Sequence, residues 1–163
     1  MIRVPILVLM MCFCTQLSAQ QGGISPTDGA RLEKIWSQFA TAISARDSLS
    51  LYRLSLQDIS CLGCSSDTST TGYYEPAPVF FRKVLAIWPQ SQFWGHVTVS
   101  RYWVNTIVTS QRPLNLPADK KHYVIYELAF ADISKQGSNA ASWVFQFADI
   151  NGTLRFFGIA AVH

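Results

Sequence analysis

The strongest constraint in this sequence is a change of hydrophobic period. Across residues 25–44 the apolar side chains Leu32, Ile35, Trp36, Phe39 and Ile43 recur every three to four positions, while Arg31, Glu33, Lys34 and Gln38 take the other face. That is the pattern of a helix with one buried stripe. From residue 95 onward the period falls to two. Residues 97–109, 122–132, 142–148 and 154–162 alternate and are rich in Val, Ile, Tyr, Phe and Trp, as strands with one covered face require. A run of helices followed by a run of strands argues for an α+β fold. The expected order is helix, helix, loop, helix and then four antiparallel strands, with a strongly curved sheet wrapped around the first helix.

Local signals set the boundaries. Ser25 can cap the first helix, Pro26 suits its first position, and Asp28 in the first turn favours the positive end of the helix dipole. Asp47-Ser48 reads as a second cap, opening a short helix that ends near Gln57. The polar stretch 65–72 has no period and reads as a loop. Residues 79–88 form a third helix, stopped by Pro89. Asn151-Gly152 accepts the positive φ angles of a tight hairpin, which pairs the last two strands.

Hydrophobic residues make up 49% of the 163 positions and charged ones 14%. That excludes a disordered chain and fits one domain. Arg3, the uncharged apolar run 4–14 and the small residues before Gln20 have the layout of a secretory signal peptide, cleaved near Ala19. The run is shorter than the ~20 residues that cross a bilayer, so no lasting membrane span is expected. The domain reading is therefore a signal peptide at 1–19, a short flexible stretch at 20–24 and a single domain at 25–163, exported to the periplasm or the extracellular space. Loss of Arg3 lowers the net charge from +3 to +2, and no basic run points to nucleic acid.

The opening helix with Trp36 and Phe39, the Ala45-Arg46-Asp47 step and the closing hairpin resemble the nuclear transport factor 2-like superfamily. That hairpin runs Trp143-Val144-Phe145-Gln146-Phe147, Asn151-Gly152, then Arg155-Phe156-Phe157-Gly158-Ile159. The resemblance covers 25–163. It implies a cone of curved sheet plus helices, an Asp/His or Asp/Tyr acid–base set at the cone mouth of the enzymatic members, and homodimers through the outer sheet face. A fold that hosts enzymes, binders and inert modules transfers no activity by itself.

In such a cone the ligand-pocket candidates are Trp36, Arg101, Tyr102, Trp103, Tyr126, Trp143 and Gln146, with core filling as the alternative for each. Candidates for acid–base work are Asp47, His96 and Glu127. Asp47 fits a helix cap equally well, His96 is placed at the start of a strand, and alternation turns Glu127 away from the core. Cys61-Leu62-Gly63-Cys64 reads first as a local disulfide staple, since close cysteines pair in an oxidising compartment. A thioredoxin-type pair needs its first cysteine at a helix N-terminus, and the residues after Cys64 are poor helix formers. Zinc needs four ligands, and none of the three histidines lies at ligand spacing. Serine-hydrolase, phosphate-loop and dinucleotide motifs are absent. The reading is an exported module that binds a small ligand or a protein partner without catalysis, with no metal and no cofactor. The alternatives are a cone-type enzyme doing proton abstraction or isomerisation, and a thiol–disulfide redox protein using Cys61 and Cys64.

Overall fold

The computed structural model describes residues 24–62, 74–110, 112–113, 116–118, 121–131 and 142–162. Helix α1 (Pro26–Ser44) starts where the sequence places it, with the Ser25 side chain accepting the Asp28 N–H. Its buried stripe is Gly29, Leu32, Ile35, Trp36, Phe39, Ala42 and Ile43. Helix α2 (Ser48–Leu54) is capped by Asp47. It ends short of the expected Gln57, because the backbone turns extended at Ser55 and enters strand β1 (Ser55–Leu62). Strand β2 (Tyr74–Pro76) pairs antiparallel with β1. The loop expected at 65–72 lies outside the described residues.

Helix α3 (Ala77–Ile87) gives way at Pro89 to a 3-10 turn, Trp88–Gln90. Helix α4 (Gln92–Val99) follows, where the sequence suggested the start of a strand. Val97, Thr98 and Val99 favour strands, but the Ser91 hydroxyl caps the helix by accepting the Trp94 N–H at 3.1 Å. Trp94 and Val97, three residues apart, then bury one face. Burial outweighs a propensity difference of a few tenths of a kcal/mol per residue.

Strands β3 (Trp103–Thr109), β4 (Tyr123–Ala131), β5 (Ser142–Ile150) and β6 (Thr153–Val162) form the antiparallel run expected. Asn151 (φ 52°) and Gly152 (φ 80°) make the tight turn between β5 and β6. The sheet is larger than four strands and is mixed. Its order is β2-β1-β6-β5-β4-β3, and β1 lies parallel to β6. The sheet is open, and this is the α+β class the sequence called for. The register slips between Gln146 and Phe147; such bulges bend a strand and increase its twist.

The main core lies between α1, α3, α4 and the inner face of the sheet, where Phe39, Phe130, Phe145, Phe147 and Phe156 are fully buried. A second, smaller core on the outer face joins Leu116 to Tyr123, Ile125, Ala148 and Phe157. There the Tyr123 hydroxyl donates to the Pro117 carbonyl at 2.6 Å. No described helix is long and apolar enough to cross a membrane.

Candidate functional site

The space expected beneath the first helix is filled with rings. The Trp36 ring meets those of Phe130 and Phe145 at centroid distances of 5.1 Å each. Phe39 meets Phe156 at 4.5 Å and Phe147 at 5.9 Å. Rings at these spacings pack edge to face or offset and leave little room for a guest.

Free space opens instead beside this stack, in a cleft of about 530 Å³ between α1 and the segment joining α4 to β3. Helix α1 supplies one wall through Glu33, Ser37 and Thr41, and Thr98 and Ser100 supply the other. Trp36 and Tyr102 also line it, with ring centroids 6.3 Å apart in an edge-to-face pair. Burial raises the Tyr102 phenol above its ordinary pKa, and the nearby negative charge of Glu33 adds to the shift. The hydroxyl therefore stays protonated well into the alkaline range, a neutral donor at a partly dry site. A second cleft of about 390 Å³ lies between α1 and α2 and is lined in part by Asp47, Ser50 and Arg53.

Of the seven pocket candidates, only Trp36 and Tyr102 line the 530 Å³ cleft. Arg101 is exposed. Trp103 is 54% exposed and alternates with the buried Val104, so it stands on the outer face. Gln146 is also on that face, where its amide donates to Glu127 Oε1 at 3.0 Å. Trp143 packs against Phe93, with ring centroids 4.8 Å apart. Tyr126 is buried on the inner face near the start of α1 and hydrogen-bonds Asp28. Burial, then the Asp28 charge, raises its pKa.

The structure does not bring the three acid–base candidates together. Asp47 accepts the Ser50 N–H at 3.1 Å and the Ser50 hydroxyl at 2.5 Å. The Ser50 hydroxyl and then its backbone N–H hold that carboxyl below its ordinary pKa. His96 belongs to α4 and not to a strand start. Its Nε2–H donates to the Ala131 carbonyl at 2.9 Å, which leaves Nδ1 to accept the Ser100 hydroxyl at 2.9 Å. Glu127 faces outward, as alternation indicated.

One polar cluster escaped the sequence reading. Arg31 donates to Asp28 at 2.9 Å, to Asp149 at 2.7 Å and to the Gly152 carbonyl at 2.9 Å. With the Asp28–Tyr126 bond, this ties the start of α1 to β4 and to the β5–β6 turn. Sequence spacing gave no sign of it, because 118 residues separate Arg31 from Asp149. Cys61 is buried near the end of β1; its expected partner Cys64 lies outside the described residues.

No family model matches the chain, and no curated protein matches it. Among solved structures it is similar to an NTF2-like protein from Cytophaga hutchinsonii, with 10% identity and a TM-score of 0.39 over 85% of this chain and 98% of that one. It is also similar to a chain named Rd1NTF2_05 carrying five substitutions, with 9% identity and a TM-score of 0.41 over 83% of this chain and 99% of that one.

Proposed function

We propose that the chain is an exported, non-catalytic binding module of the cone type its sequence resembles, and that it holds a small aromatic molecule in the cleft between α1 and Tyr102. The observation that carries this reading is the Trp36–Tyr102 edge-to-face pair lining a cleft whose other walls are hydroxyls and Glu33. Two aromatic rings offer a stacking surface, and the hydroxyls and the Glu33 carboxylate around them offer hydrogen bonds to polar substituents on a bound ring. The neutral Tyr102 hydroxyl can donate, and Glu33 can accept from an amine. The fitting ligand is therefore a single ring bearing an amine or hydroxyl. The non-catalytic part rests on Asp47, His96 and Glu127, each of which is engaged by a neighbour away from the others. Export rests on the N-terminal leader pattern.

Titration with tyramine tests the reading, followed by thermal shift and by intrinsic tryptophan fluorescence. At a hundredfold excess over Kd, binding stabilises the fold by about 2.7 kcal/mol. Tyr102→Ala should abolish the shift, and Glu33→Gln should weaken tyramine but spare p-cresol, which lacks the amine. A shift that survives Tyr102→Ala in a folded variant would defeat the assignment.

A further inference from the structure

The two edges of the sheet differ. Strand β2 is three residues long and ends in Pro76, and short strands and prolines are the usual ways of closing an edge to strangers. Strand β3 has neither protection. It runs seven residues from Trp103 to Thr109 with no charge and no proline. Its register against β4 is unbroken from Trp103↔Ala129 to Thr109↔Tyr123. Among the described residues, no strand pairs with its other side. Trp103 (54% exposed) and Ile107 (39%) stand on the outer face and Val108 (66%) on the inner. Apolar side chains thus flank the open backbone edge on both faces.

Charge selects the occupant. Exposed Arg101 precedes the strand, and exposed Arg112, Lys121 and His122 lie beyond its other end. The nearest acid across the sheet, Glu127, pairs in register with Asn105 and accepts from Gln146 on the far side. A second copy is a poor fit. Two β3 strands paired antiparallel about Thr106 would bring Arg101 of each copy within one position of Arg112 of the other, and gathering like charges at both ends of the pair is unfavourable.

We propose that β3 takes up an extended segment of a partner protein as a seventh strand, and that this segment carries alternating apolar residues flanked by acidic ones. Backbone hydrogen bonds along the edge supply affinity, and the side-chain pattern supplies selection. The basic ends speed encounter and fix orientation. This surface does not depend on the aromatic cleft.

The probe is the blocked peptide Asp-Glu-Val-Thr-Ile-Thr-Val-Glu-Asp, with a control of the same core flanked by lysines. Binding is read by calorimetry and by amide hydrogen exchange. The acidic peptide should bind roughly tenfold or more tightly than the lysine form at low salt, and lose that advantage at high salt. It should slow exchange at outward-facing β3 amides, and Val108→Glu, which removes an apolar contact and adds a like charge, should weaken it. Equal binding of the two peptides would overturn the proposal, as would unchanged exchange in β3. So would sedimentation as a dimer whose β3 amides are protected without peptide, since a second copy would then be the occupant. The comparison of peptides on the unaltered protein stands even if Val108→Glu fails to fold.

Discussion

Phe39→Ala is the sharpest perturbation of the interior. Phe39 is fully buried and its ring meets five others: Trp36 at 6.1 Å, Phe81 at 6.1 Å, Phe145 at 6.4 Å, Phe147 at 5.9 Å and Phe156 at 4.5 Å. These neighbours belong to α1, α3, β5 and β6, so no single element can move in to fill the gap. Truncating a buried Phe costs about 3–5 kcal/mol, transfer and cavity terms together, and immobile walls put this site in the upper half. For a domain of this size each kcal/mol lowers Tm by about 3–5 °C, so the expected fall is roughly 12–25 °C. Thermal unfolding by near-ultraviolet circular dichroism measures it. The vacated space is dry and apolar and should accept benzene, which raises the Tm of the variant but not of the parent. A fall under about 3 °C, or benzene stabilisation of the parent, would show that the interior is not closed around this ring.

Gly158→Ala should destabilise by about 1–3 kcal/mol in urea unfolding, as overpacking does. A Cβ there would stand 2.8 Å from Gln146 Oε1, 3.0 Å from Ser60 Cβ and 3.1 Å from the Ser60 carbonyl. Adding Gln146→Ala should recover only part of the loss, because the β1 backbone stays in the way; full recovery would contradict the β1–β6 packing. On the alkaline side, Tyr102 and Tyr126 have raised pKa values. Their contribution to stability is complete below pH 10 and is lost as pH climbs through their folded values. Absorbance titration should show a late-ionising tyrosine component that Tyr102→Phe diminishes. On the acid side, hydrogen bonds lower Asp28, through Ser25 first, and Asp47, through Ser50 first. Their stabilisation is present above the ordinary carboxylate range and fades as pH falls through their folded values. Asn at both positions should flatten the acid limb of a Tm-against-pH curve.

What could be read from sequence was local or strongly periodic. Ser25 and Pro26 begin α1, Asp47 begins α2, and Asn151-Gly152 closes the last hairpin, each through backbone chemistry within a few residues. Strand β1 was missed because Leu56 continues the helical spacing of Leu49 and Tyr52, while its parallel partner β6 lies about a hundred residues away. The same distance hid the Arg31–Asp149 tie. Helix α4 was missed because its composition favours strands; the Ser91 cap was the available signal. At the candidate site, Trp36 and Tyr102 were legible as large rings on apolar faces. Glu33, Ser37, Thr98 and Ser100 were not, because a polar helix face facing a cleft looks the same in sequence as one facing water.

Native-state hydrogen exchange tests the central claim most directly. If α1 is locked into one interior with β5 and β6, the slowest amides of all three should exchange through the same global opening, with matching free energies and matching denaturant slopes. Amides of α1 that open well below those of the β5–β6 hairpin would mean the helix rests on the sheet as a separable element, and the shared core described above would not exist.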